Sequence, residues 1–233
     1  MEFKTDALLL RAADYGENDK MVTLLTADRG KIGACMKGVK KASAKLKFAA
    51  QPFTFAEYVI AERGERKTVI SASLHDGFYF LREDVTAFYA AAAVCEACDA
   101  LLYEGIPSGS LLVAAVTALQ GMSENIPFAL VRFLLNALTA AGYPVEAGDC
   151  PVCGKKLSGR MAFDMTSGAF TCSDCGEGAP ASESTYLAIR NAMGENCPVP
   201  DDGYKRALRL LNAYFTYQTE KELFSLAEYI SLI

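Results

Sequence analysis

Residues Ala7 to Met36 read ALLLRAADYGENDKMVTLLTADRGKIGACM, and this stretch decides the fold. Three short runs rich in aliphatic and β-branched residues, Ala7 to Arg11, Met21 to Thr26 and Lys31 to Met36, are separated by turn formers at Asp14-Tyr15-Gly16 and Asp28-Arg29-Gly30. Such runs, bounded by Gly and Asp, predict strands. Two more follow, Phe53 to Ala61 and Thr68 to Leu74, with Glu62-Arg63-Gly64-Glu65 as the turn between them. In the last run Thr68, Ile70, Ala72 and Leu74 alternate with Val69, Ser71 and Ser73, the two-residue period of a sheet with unequal faces. Five short strands in the first eighty residues predict a small barrel, and the OB-fold is the five-stranded barrel most used to bind nucleic acid. Periodicity leaves an SH3-like barrel open.

Beyond about Val85 the pattern becomes helical. VTAFYAAAAVCEACDALLYEG is rich in Ala and Leu and ends at Gly105, with Pro107 just behind. SGSLLVAAVTALQG follows, and then a segment marked at both ends by Asn125 and Pro127 and by Gly142 and Pro144. Helices resume with STYLAIRNAMG and with one long C-terminal stretch from Tyr204, where Leu208, Leu211, Phe215, Leu223, Leu226 and Ile230 recur at helical spacing. The expected fold class is α+β and multidomain. An OB-fold domain spans 1–80, an α-helical domain spans 81–147 and 180–233, and a cysteine module at 148–179 is inserted in it.

Apolar residues make up 52% of the 233 and charged residues 22%, enough hydrophobic side chain for a real core. No run of about 18 uninterrupted apolar residues occurs, and the start MEFKTDALLL has neither a basic n-region nor a small-residue cleavage site. The expectation is a cytoplasmic protein without a membrane partner, in which the eight cysteines serve metal binding and packing rather than disulfides.

Cys150 and Cys153 form one C-x2-C pair and Cys172 and Cys175 another, with 18 residues between them. This is the spacing of a zinc site: two thiolates per tight turn, brought together by a hairpin, supply four sulfurs to a tetrahedral ion. Both pairs sit in similar contexts, CPVCGK and CSDCGE, with a glycine after the second cysteine. The residues from Met161 to Met165 and Ala169 to Thr171 predict the intervening hairpin. Four cysteines leave no open position, so one structural Zn2+ is expected and catalysis at the metal is not. Cys95 and Cys98 repeat the spacing inside a helical pattern, where it puts two small apolar side chains on one buried face.

The net charge of -5 averages two unlike regions. Arg29, Lys31, Lys37, Lys40, Lys41, Lys45 and Lys47 fall in one stretch of 19 residues with no acid. Setting those seven aside, the chain's 23 basic residues drop to 16 against 28 acidic, a balance of -12. One positive patch on an acidic protein points to an anionic partner at that patch. The seven are the candidate nucleic-acid contacts, since lysines projecting from a barrel edge can follow the phosphates of a single strand. Phe55 and Tyr58 are candidate stacking aromatics, although core packing is the better reading for each.

Catalytic signatures are missing. The single histidine, His75, falls in a predicted turn at His75-Asp76-Gly77. Gly33 to Gly38 begins like a phosphate loop, but Val39 and Lys40 stand where Lys and Ser or Thr are required. No nucleophile elbow, dinucleotide fingerprint or kinase motif is present, so the expectation is a protein that is not an enzyme.

With these features in place, the chain resembles the bacterial RecO family of recombination mediators. The matches are Asp14-Tyr15-Gly16-Glu17, the Leu-Thr before Asp28-Arg29-Gly30-Lys31, the Lys37-Gly38 step with its following basic residues, Gln51-Pro52-Phe53, and the CPVCG and CSDC pairs. The resemblance implies a DNA repair and recombination mediator that binds single-stranded and double-stranded DNA and anneals complementary strands without ATP. It also implies contact with RecR and single-strand-binding protein, indirect assistance to RecA, and a cytoplasmic, nucleoid-associated location. A zinc-ribbon adaptor in transcription or translation is the alternative, but it predicts a basic ribbon. Lys155, Lys156 and Arg160 there are balanced by Asp164, Asp174 and Glu177.

Overall fold

The computed structural model describes residues 1–233. Strands β1 (Glu2–Tyr15), β2 (Asp19–Thr26), β3 (Gly30–Met36), β4 (Phe55–Arg63) and β5 (Arg66–Asp76) close a barrel in the order β1-β2-β3-β5-β4. Every contact between neighbours is antiparallel except β3 with β5, which is parallel at Cys35↔Thr68. This is the five-stranded OB-fold barrel expected from the sequence.

β1 is far longer than the run that announced it. It serves two neighbours, Glu2 to Leu8 lying against Ala61 to Phe55 and Ala7 to Tyr15 against Thr26 to Asp19. The register shift between Leu9 and Arg11 is a bulge, which bends the strand so that one chain closes both sides of the barrel. Ala7, Leu9, Val22, Leu24, Ile32, Ala34, Met36, Tyr58, Ile60 and Val69 fill the interior. Truncating a fully buried leucine such as Leu24 to alanine costs about 2–5 kcal/mol at sites of this kind.

Two expectations for β5 are corrected. The β4–β5 register shifts between Val59 and Ile60, so Val69 pairs with Ile60 and turns inward while Ile70 is left 46% exposed. The simple alternation of Thr68, Ile70, Ala72 and Leu74 is thus broken by the bulge. His75 lies within the strand rather than in a turn, its Nε2 2.7 Å from Asp6 Oδ1.

Six helices follow the barrel: α1 (Val85–Leu101), α2 (Gly109–Gly121), α3 (Ile126–Ala140), α4 (Glu183–Ala192), α5 (Gly203–Thr219) and α6 (Phe224–Leu232). Asp84, Asn125 and Ser182 cap α1, α3 and α4 by accepting the amides of Ala87, Phe128 and Thr185. The stretch from Tyr204 is two helices, because Glu220 takes a left-handed conformation at φ 57° and ends α5. No helix is long and apolar enough to cross a membrane.

The chain divides into two compact units, Met1–Gln120 and Gly121–Ile233. In the first, α1 packs on β1, and the Cys95 thiol donates to the Leu9 carbonyl at 3.8 Å. Phe53, left-handed at φ 67°, is buried with its ring edge-on to Phe88 at 5.2 Å. In the second, α5 packs on α3 and α4, and the strands β6 (Met161–Asp164), β7 (Ala169–Cys172) and β8 (Ala179–Ala181) form a small sheet in the order β7-β6-β8.

Candidate cysteine centre and nucleic-acid interface

The cysteine centre is assembled from two tight turns. Cys150 and Cys153 precede β6, Cys172 ends β7 opposite Met161, and Cys175 lies in the turn that follows. The Gly154 amide donates to the Cys150 carbonyl at 2.8 Å, and the Gly176 amide to the Cys172 carbonyl at 3.1 Å, so each pair is folded by the same kind of bond. The two glycines are required for different reasons. Gly154 is left-handed at φ 71°, whereas a Cβ at Gly176 would meet Thr171 Oγ1 at 1.7 Å.

All four sulfurs lie within 4.8 Å of one another, and Cys153 Sγ is 3.7 Å from Cys172 Sγ. Sulfurs at tetrahedral corners about 2.3 Å from an ion are separated by roughly 3.8 Å, so the donor set fits one metal ion. The thiols differ in acidity. Backbone N–H groups of Cys172 and Cys153 hold Cys150 down to about 6, while hydrogen bonds with Cys172 and Cys153 push Cys175 up to about 12. Four crowded thiolates repel, and a bound dication removes that conflict by stabilising every charge at once.

An aromatic cluster holds the module. Phe163 and Phe170 face each other edge-on at 5.0 Å, Tyr214 of α5 meets Phe163 at 5.2 Å, and the Tyr186 hydroxyl of α4 donates to the Gly148 carbonyl. Cys95 and Cys98 are buried in α1, and desolvation keeps both thiols protonated, Cys95 being pushed up to about 12.

The basic tract begins in β3 and continues through the loop 37–47. That loop is fixed to the barrel rather than hung from it. The Gly38 amide donates to Asp19 Oδ1 at 2.7 Å, the Lys40 amide to the Asn18 carbonyl at 3.0 Å, and Val39 is buried. Its far end is held by a one-turn 3-10 helix, Phe48–Ala50, whose Ala49 carbonyl accepts the Tyr58 hydroxyl at 3.0 Å.

The seven basic residues do not share one role. Lys31 is half-buried with its Nζ 3.0 Å from Asp99 Oδ1 on α1. Arg29 lies over the Phe3 ring at 3.8 Å and beside Asp28 at 3.7 Å, and Lys40 Nζ is 2.7 Å from Asp14 Oδ2. Lys37, Lys41, Lys45 and Lys47 are exposed and form no ion pair, which leaves four unpaired ammonium groups along one loop. Tyr58 is fully buried and is a core residue, so it offers no ring for stacking; Phe55 is half-buried with its ring 4.9 Å from that of His75.

Residues 1–78, the barrel, match the family described as recombination protein O N terminal, and residues 82–227 match recombination protein O C terminal. The chain is similar to the DNA repair protein RecO of Myxococcus xanthus, 30% identical over 229 residues that cover 95% of this chain and 94% of that one. It is likewise similar to the DNA repair protein RecO of Pelotomaculum thermopropionicum, 30% identical over 97% of this chain and 92% of the relative. A third, from Anaeromyxobacter dehalogenans, is 35% identical over 76% and 72% respectively. Matches that run from the first strand of the barrel into the last helix leave one assignment: the chain belongs to the RecO family.

Proposed function

We propose that this chain is a DNA repair and recombination mediator that binds single-stranded and double-stranded DNA, anneals complementary strands without ATP and, with RecR, helps load RecA onto DNA coated by single-strand-binding protein. The observation that carries the reading is the row of unpaired lysines, Lys37, Lys41, Lys45 and Lys47, on a loop tied to an OB-fold barrel. Annealing requires that phosphate repulsion between two strands be neutralised while base edges stay free to pair. Ammonium groups on backbone phosphates do this without reading sequence, and the step needs no catalytic acid or base. The chain accordingly acts as a binding protein and not as an enzyme, at the nucleoid in the cytoplasm.

In this division of labour the OB domain, 1–80, carries the DNA. The helical residues, 81–147 and 180–233, and the inserted module, 148–179, carry the remaining contacts. Arg29, Lys31 and Lys40 shape the DNA edge through their internal partners. Cys150, Cys153, Cys172 and Cys175 bind one Zn2+, a closed-shell ion that ties the two turns together and supplies no reaction chemistry.

The test is annealing of two complementary oligonucleotides, one coated with single-strand-binding protein, in the absence of nucleotide. Acceleration over the uncatalysed rate with and without the coat is expected. An unchanged rate in both arms rejects the reading.

A further inference from the structure

The β4–β5 hairpin turns through Gly64 and Glu65, with Gly64 at φ 60°, and places Arg63 directly opposite Arg66. Like charges facing each other across a strand pair oppose its formation. One step further along, the same hairpin shows the ordinary solution: Glu62 pairs with Lys67, 3.6 Å from Oε1 to Nζ. Arg63 and Arg66 are both exposed and neither has a carboxylate at ion-pair distance. Two arginines thus face each other across the strand pair with no carboxylate close enough to form an ion pair with either.

They also line a surface cleft of about 830 Å³ in the barrel, and Lys37 lines the same cleft. The parallel pairing of β3 with β5 at Cys35↔Thr68 explains why: Lys37 follows the end of β3 as β5 runs from Thr68 to Ile70 beside it. Ile70, exposed by the bulge, contributes an apolar wall. Glu2 and Glu65 also border the cleft and oppose an anion there.

We propose that Arg63 and Arg66 form a second phosphate-binding step, so that a single strand lying along the loop 37–47 continues through Lys37 into this cleft. This rests on the DNA-binding reading given above. Each guanidinium forks onto phosphate oxygens, and the bound strand supplies the negative charge that the facing pair lacks. Ile70 offers a nonspecific contact to sugar or base.

The experiment is anisotropy of a labelled oligothymidylate bound by the full chain across a salt series. Arg63→Ala/Arg66→Ala is expected to lower affinity on the order of tenfold at 0.1 M salt and to reduce the salt slope by about 1.4, two contacts at about 0.7 each. Its thermal midpoint is expected to equal or exceed that of the parent, because a repulsive pair has been removed. Glu65→Gln is expected to tighten binding. Wild-type affinity and slope in the double variant, while Lys37→Glu/Lys41→Glu loses binding, overturns the cleft and leaves the tract in place. Loss of affinity accompanied by a fallen thermal midpoint assigns the arginines a folding role and also overturns it. If neither variant changes binding, the DNA-binding reading fails and the cleft with it.

Discussion

Lys40 Nζ lies 2.7 Å from Asp14 Oδ2, across the barrel edge from the loop that carries it. The hydrogen bond from Lys40, with further attraction from Lys40 and Lys20, holds the Asp14 carboxyl below its ordinary value of 3.8. Lys40 therefore anchors the loop, whereas Lys37 and Lys41 beside it are free.

Reversal at these positions is expected to separate folding from binding. Lys40→Glu places a carboxylate against Asp14 and should lower the thermal midpoint at low ionic strength, by an amount that shrinks as salt is added. Lys41→Glu should leave the midpoint unchanged and weaken oligonucleotide binding severalfold. The pH dependence of the Asp14 contact has a fixed sign. Its folded-state pKa is depressed, so its stabilising contribution is present above about pH 4 and is lost as pH falls through the lowered value. In Lys40→Ala that acid-side loss should be smaller, as measured by thermal melts across the acid range.

Tyr58 is expected to matter for stability and not for DNA. Its hydroxyl donates to the Ala49 carbonyl from a fully buried position. Tyr58→Phe removes that bond and leaves a buried acceptor unpaired, at a cost of about 1–3 kcal/mol in chemical denaturation. Oligonucleotide affinity at the same salt should stay within twofold of the parent, whereas a stacking role would lower it by about 1–3 kcal/mol.

Gly30 combines two constraints. Its φ is 63°, and an added Cβ would stand 2.1 Å from the Ile106 carbonyl oxygen. Gly30→Ala should destabilise the barrel unit by at least about 1–2 kcal/mol from the left-handed backbone alone, with the clash adding to it. Urea unfolding of the variant against Gly33→Ala, where a Cβ meets nothing within 4 Å, checks this and should give the larger loss for Gly30.

Purified protein should contain one zinc per chain. Cys172→Ser removes one of four sulfurs and should abolish stoichiometric retention of the metal, since structural sites bind it with an apparent free energy of about 10–16 kcal/mol that depends on all four ligands. Chelation should expose the aromatic cluster of Phe163, Phe170 and Tyr214, read as a change in near-UV dichroism. A chain with no metal and an unchanged aromatic signal in Cys172→Ser would remove the zinc assignment.

What could be read from the sequence depended on how far apart the interacting residues lie. The cysteine pairs were legible because each turn is local and the glycines after Cys153 and Cys175 mark it. The basic tract was legible as a run. Its internal division was not, since the partner of Lys40 lies 26 residues earlier and the partner of Lys31 lies 68 residues later. The five strands were visible, but the bulges that lengthen β1 and turn Ile70 outward come from register with a neighbour. Arg63 and Arg66 were hidden for a simpler reason. Glu62 and Glu65 alternate with them, so the hairpin reads as a turn of mixed charge, and only strand pairing sets the two arginines opposite each other.

The central claim, that free lysines on the barrel loop hold the backbone of a single strand, is tested most directly by a salt titration of oligothymidylate binding. Wild type should be compared with the quadruple variant Lys37→Ala/Lys41→Ala/Lys45→Ala/Lys47→Ala, in which every ion-paired residue of the tract is kept. The slope of log affinity against log salt should become shallower by about 2.8, four contacts at about 0.7 each, with melting unchanged. An unchanged slope and affinity in a folded quadruple variant would contradict the claim.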